Sequence, residues 1–162
     1  MPSPYAGYAD ATETITNYFY TAVVGNAASL GLPVVGVKTD GTPNSVWYGD
    51  QTILPVTPAV CVVPGPEQSV YNGVGGRPVM MTFTTFLVVY FGKIQDAQQN
   101  THQALALANT IKRFFNIDIT LGGNAIDTMC AAVDPGVGIK QGALIDAARM
   151  TFRTRSKVTL NA

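Results

Sequence analysis

Few residues of this chain could react, and their spacing argues against a reactive centre. His102 is the single histidine. It sits among Gln and Thr in a stretch of helical periodicity, where a solvated surface imidazole is expected before a general base. Cys61 and Cys130 are the two cysteines; neither belongs to a C-x-x-C pair. Each lies in apolar, strand-like surroundings, so both read as reduced thiols packed as small hydrophobes. One histidine and no carboxylate cluster at ligand spacing leave a transition metal too few donors. Gly73-Val74-Gly75-Gly76 lies between two strand-like runs, whereas phosphate cradles open onto a helix N-terminus. Gly92-Lys93 lacks the upstream glycine and the following Ser or Thr of a Walker motif. Acidic residues are scattered singly, with no pair set for hydrolysis. The chain is therefore read as a non-enzyme, with no catalytic residue, metal ligand or cofactor expected.

One charge pattern does stand out. Arg149, Arg153, Arg155 and Lys157 follow one another with no acid between them, and the last three share one face of a strand. Three readings are open: a sheet edge guarded against aggregation, a row of cations meeting acids of a neighbouring subunit, or backbone contact with passing DNA. Trp47 and Tyr48 carry a similar choice between a lid over the edge of the core and an aromatic contact with a partner subunit.

The totals favour assembly over catalysis. The chain has 162 residues, enough for one domain with a real core. Its 10 basic and 10 acidic residues cancel, and charged residues are 12% of the total, about half the usual share. So little charge protects a monomer poorly from association, and zero net charge argues against a dedicated nucleic-acid binder. No run approaches the roughly 20 apolar residues of a membrane span. The opening Met-Pro-Ser-Pro-Tyr-Ala-Gly-Tyr has neither the basic nor the apolar region of a signal peptide, so an intracellular setting is expected.

The elements that must position these residues are legible in outline. Residues 1–9 read as an extended arm. Asp10 and Glu13 make a capping-box pattern, and Ile15, Tyr18, Phe19, Ala22 and Val23 form one helical face that frays by Leu30. Val35 to Lys38 and Ser45 to Tyr48 are expected to pair as a small hairpin about Asp40-Gly41, an insertion spanning residues 34–51. Pro55 to Val63 is a strand ended by Pro64-Gly65-Pro66, and Glu67 to Arg77, with Tyr71 within it, is a flexible connector. Pro78 to Gly92 is the main strand: Val79, Met81, Phe83, Thr85, Leu87, Val89 and Phe91 face one way, and the opposite face is mixed. A second helix runs from Asp96 to Phe115 with Ala104, Leu105, Ala108, Ile111, Phe114 and Phe115 as its stripe. Met129 to Val133 is a third strand ended by Asp134-Pro135-Gly136. Residues 137–148 read as a loop with a helical turn near Gly142 to Ala148, and a final strand alternates through Met150, Phe152, Thr154, Ser156, Val158 and Leu160. The fold class expected is α+β, with a roughly four-stranded, largely antiparallel sheet and two main helices on one face.

This layout resembles the tail terminator (tail completion) proteins of long-tailed bacteriophages. The likeness rests on the amphipathic opening helix, the Pro-bounded Thr57-Pro58-Ala59-Val60-Cys61-Val62-Val63-Pro64, and the glycine-rich connector. The long strand Met80 to Phe91, the helix Asp96 to Phe115, the Leu121-Gly122-Gly123 turn before Met129, and the closing strand Ala148 to Leu160 continue it. It covers roughly residues 10–160; residues 34–51 have no counterpart. The resemblance implies a structural virion subunit forming a hexameric ring at the head-proximal end of the tail. Such a ring ends tail-tube polymerisation and offers the docking surface for the head connector, with genomic DNA passing through the lumen. Implied partners are copies of itself, the tail-tube protein and the connector, with no membrane. The implied location is the virion, and host cytoplasm during assembly. Arg153, Arg155, Lys157, Trp47, Tyr48, Tyr71 and Arg77 are the interface candidates. The alternatives are another neck or head-closure adaptor, a tail-tube-like subunit, or a small intracellular ligand-binding domain.

Overall fold

The computed structural model describes residues 9–34, 36–71, 78–93 and 97–159. In chain order the elements are α1 (Ala9–Gly25), β1 (Val46–Tyr48), β2 (Ala59–Tyr71), β3 (Pro78–Lys93), α2 (Ala97–Phe115), β4 (Asp127–Lys140) and β5 (Ala143–Thr159). The class is α+β, but the sheet is mixed and has five strands, in the order β1-β2-β3-β5-β4. Only β1 runs parallel to its neighbour; all other pairings are antiparallel.

The fifth strand replaces the expected hairpin of residues 34–51. Its turn exists, with Gly41 at φ 82° and the Lys38 amide donating to the Thr42 carbonyl at 2.8 Å. The arms do not form a ladder: a single bridge joins Val37 to Pro43. Val46, Trp47 and Tyr48 instead lie beside Val60, Cys61 and Val62. A strand that buries Val46 completely gains more from the β2 edge than from a solvated arm.

β2 continues through Pro64-Gly65-Pro66, where the sequence suggested a stop. The two prolines fall at a register shift between Pro64 and Glu67, so the ladder is interrupted there in any case. Gly65 has a packing reason as well: a Cβ on it would lie 2.8 Å from the Thr84 carbonyl oxygen and 2.8 Å from the Phe86 ring. The connector expected over Glu67 to Arg77 is thus strand as far as Tyr71, and its remainder lies outside the described residues. The arm of residues 1–8, Asp96 and Leu160 lie outside them too, while Ala9 already belongs to α1.

The largest correction concerns residues 127–148. They are no short strand followed by a loop and a helical turn at 142–148 but a long hairpin, β4 and β5, joined by Gln141-Gly142. Both turn residues have positive φ (53° and 72°), which matches the right-handed strand twist. Pro135 is tolerated because β4 is an edge strand, where an absent amide need not interrupt the ladder. β5 lies between β3 and β4, so its arginines occupy a face of the sheet and guard no edge.

The helices share one face. Phe19 of α1, Phe115 of α2 and Phe152 of β5 meet with ring centroids 4.7, 5.1 and 5.4 Å apart. Around them pack Val23, Met81, Phe83, Leu87, Ile111 and Met150. Every second residue of β3 from Met81 to Val89 is buried there, as its alternation requires. On α2 the buried positions are Ala104, Leu107, Ala108, Ile111 and Phe115. Leu107 therefore takes the place assigned to Leu105, which is half-buried on the flank of the stripe. A smaller apolar cluster on the opposite face, Leu54, Ala59, Cys61, Tyr90 and Ile145, is roofed by residues 49–58. Cys61 and Cys130 lie on opposite faces and both are free thiols.

Candidate functional site

The second face of the sheet, bare of helices, gathers the residues that drew attention in the sequence. β3 places Met80, Thr82, Thr84, Phe86 and Val88 there, all half-buried. β5 adds Arg149, Thr151, Arg153 and Arg155, and β4 adds Asp127, Met129 and Asp134 through the register. The acids missing beside the arginines along the chain thus arrive from the neighbouring strand. Arg155 grips Asp127 with two guanidinium nitrogens, Nε at 2.8 Å from Oδ1 and Nη2 on Oδ2. That hydrogen bonding holds the Asp127 carboxyl below the usual carboxylate range and raises the arginine further. Arg149 lies 3.6 Å from Asp134 and over the Phe86 ring at 5.3 Å. Arg153 is exposed, with no ion pair among the described residues. Lys157 stands opposite Met80 in the ladder and Tyr71 opposite Val79; their side chains, and all of Arg77, lie outside the described residues.

Trp47 and Tyr48 point to opposite faces. Trp47 packs on the smaller cluster, donates from Nε1 to the Asn44 carbonyl at 2.8 Å, and carries the Lys38 ammonium 4.3 Å above its ring. Lys38 Nζ also donates to the Val46 carbonyl, tying the 36–43 turn to β1. Tyr48 meets Tyr20 edge-on at 5.8 Å and keeps 39% of its surface exposed. The two are not brought together with Arg153 or Arg155.

No pattern along the chain points to the polar clasp at the β4–β5 end of this face. Tyr90 donates its hydroxyl to Asp50 Oδ1 at 2.8 Å. Lys140 donates to the same oxygen at 2.7 Å and to the Gln51 carbonyl at 2.6 Å, its ammonium 4.5 Å over the Tyr90 ring. Burial, then the bond to the Asp50 carboxylate, pushes the Tyr90 hydroxyl far above its ordinary pKa, and burial raises the Cys61 thiol nearby. Both groups are protonated at neutral pH, the state least suited to nucleophilic attack. The clasp fastens residues 50 and 51 to the β4–β5 tip. Among the described residues no group of three or more His, Cys, Asp or Glu side chains is placed to hold a metal ion, and no helix is long and apolar enough to cross a membrane. His102 is exposed on α2.

What the surface does offer is apolar. At one end of the sheet, Val137, Ile139 and Leu144 project from the helix-side face of the β4–β5 tip, with exposures of 57%, 72% and 57%. Asp146 completes that block opposite Val137; it is 4% exposed and its Oδ2 has no hydrogen-bond partner. At the other end, Ile117 is 85% exposed at the rim of a notch walled by Tyr18 and Phe114. The chain matches no protein-family model and no curated protein.

Proposed function

We propose that the chain is a structural subunit of a phage tail, forming a ring, expected to be hexameric, that caps the head-proximal end. It ends tail-tube polymerisation there and presents a docking surface to the head connector. The observation that carries this reading is the set of large aliphatic side chains left exposed at the two ends of the sheet. The polar cluster of Asp50, Tyr90 and Lys140 is consumed in holding the fold, whereas Val137, Ile139 and Leu144 at one end of the sheet and Ile117 at the other stand exposed. Exposed apolar groups gathered in this way mark protein contacts. A cyclic ring uses two different patches per subunit, which two ends supply. Its partners are copies of itself, the tail-tube protein and the connector, with genomic DNA threading the lumen without sequence-specific contact. The setting is host cytoplasm during assembly and then the virion.

One observation favours a tube-like subunit instead: β4 is an edge strand of 14 residues, able to add further strands. Its irregularity between Cys130 and Ala132 and its Pro135 work against extended pairing. Sedimentation velocity and native mass spectrometry of the purified chain, alone and with tail tubes, separate the two. A terminator gives one closed species and binds tube ends; a tube subunit grows with concentration. A chain that stays monomeric at high concentration and ignores tail tubes refutes both.

A further inference from the structure

We infer that residues 49–58 form a strap that opens as a unit while the sheet stays folded, uncovering Cys61 and the apolar cluster around it. The strap exists because β1 and β2 run parallel: the chain leaving Tyr48 must be carried back to the start of β2 at Ala59. Such crossovers usually contain a helix. Here the return path has neither helix nor strand and lies across the face that the helices leave bare.

Its hold on that face is narrow. Leu54 is the one buried side chain between residues 49 and 58, and its neighbour Ile53 is 62% exposed. The hydrogen bonds are gathered at one end. The Gly49 amide donates to the Val62 carbonyl at 2.7 Å, Asp50 accepts from Tyr90 and Lys140, and the Gln51 carbonyl accepts from Lys140. From Thr52 to Pro58 there is no hydrogen bond among the described residues. A cavity of about 220 Å³ separates Leu54 and Thr57 of the strap from Lys140, Ala143 and Ile145 of the β4–β5 tip, so this half is loosely packed. Segments with few buried apolar contacts and few hydrogen bonds are the ones that open locally. The clasp is therefore the fastening.

The sheet beneath does not need the strap. β2 and β3 pair without interruption from Ala59 opposite Tyr90 to Pro64 opposite Thr85. Trp47 and Val88 flank Cys61 in that sheet, while the Gln51 backbone reaches its thiol and Leu54 belongs to the same cluster. Lifting residues 49–58 thus bares a fully buried thiol without breaking a strand pair. It also joins Ala59, Tyr90 and Ile145 to the half-buried Val88 and Ala147, giving one apolar surface across β2, β3 and β5.

The test is alkylation of Cys61 by iodoacetamide, read by mass spectrometry on the dilute full chain carrying Cys130→Ser, which leaves one thiol. Opening a strap exposes little surface, so the rate should change by less than about twofold per molar urea, whereas a thiol reached only by global unfolding gains roughly tenfold or more. Asp50→Ala should raise the rate at least about tenfold, and Lys140→Met about fivefold, with circular dichroism unchanged. Ile53→Ala, on the strap but outside the cluster, should leave it as it is. A parent rate that climbs with urea as steeply as the global unfolding constant overturns the inference, and so does a folded Asp50→Ala chain that reacts no faster. The urea slope of the parent decides the matter even where Asp50→Ala does not fold.

Discussion

The clasp at the lower end of the sheet predicts an asymmetry between its two charged members. The Lys140 side chain is 9% exposed and that of Asp50 54%. Asp50→Ala leaves a nearly buried ammonium with the Gln51 carbonyl as its one acceptor among the described residues, and deprives the Tyr90 hydroxyl, on a 5% exposed residue, of its partner. Stranding a buried charge and a buried hydroxyl costs about 3 kcal/mol, the exposure of Asp50 discounting the higher figures known for fully buried pairs. Lys140→Met keeps the packed stem and leaves a carboxylate that water can reach and Tyr90 still serves, so it costs about 1 kcal/mol. At roughly 2–4 °C per kcal/mol for a chain of this length, the expected losses in Tm are about 6–12 °C and 2–4 °C. Asp50→Ala combined with Lys140→Met should cost less than the sum of the two, because the methionine removes the stranded charge. Urea unfolding at one fixed protein concentration reads all three, since association would otherwise shift the midpoint. Equal costs for the two single variants, or strict additivity in the double, would refute the view that burial of the ammonium sets the balance.

Three further outcomes follow from local geometry. Gly65→Ala forces a Cβ against the Thr84 carbonyl, a backbone atom that cannot swing aside; a loss of about 2 kcal/mol is expected in chemical denaturation. The Thr128 and Thr154 hydroxyls meet at 3.1 Å in the core, so Thr154→Val should cost about 1–3 kcal/mol, with much of it recovered by adding Thr128→Val. Asp127 is held below its unfolded pKa by Arg155. Its contribution to stability is thus complete above the unfolded value of about 4 and is lost as pH falls through the folded one. Asp127→Asn should flatten the acid limb of Tm against pH by under about 1 kcal/mol, because the pair is solvated.

How much of this was legible depended on whether the deciding contact was local. The faces of β3 and the stripe of α1 follow from residue spacing alone, and the structure buries Met81, Phe83, Leu87, Ile15, Phe19 and Val23 accordingly. The β4–β5 hairpin was hidden because Asp134-Pro135-Gly136 has the composition of a stop, and only knowledge that β4 is an edge makes its proline harmless. The available signal was Gln141-Gly142, two residues between apolar runs that pair as a tight turn. Asp127 and Asp134 could not be matched to Arg155 and Arg149 without the register, which the chain does not state locally. Val46 to Tyr48 was expected to pair with the segment just before it; the actual partner, β2, lies beyond an intervening loop. The clasp joins residues 50, 90 and 140, which no short-range pattern connects.

The register also bears on what the uncovered face can meet. Read along the chain, the arginines form a cationic stripe suited to phosphates. Read across the sheet, Asp127 and Asp134 answer Arg155 and Arg149, and Arg153 alone is uncompensated among the described side chains of that face. Nucleic-acid affinity grows with the number of phosphates neutralised, so one free guanidinium gives little hold on a duplex. Phe86 under Arg149, with Thr82, Thr84 and Thr151 beside it, is closer to the surface proteins use against one another, where stacked arginine and aromatic groups carry the contact. The stronger apolar contact surface then lies at the two ends of the sheet, where Ile139 and Ile117 are the most exposed large apolar side chains among the described residues.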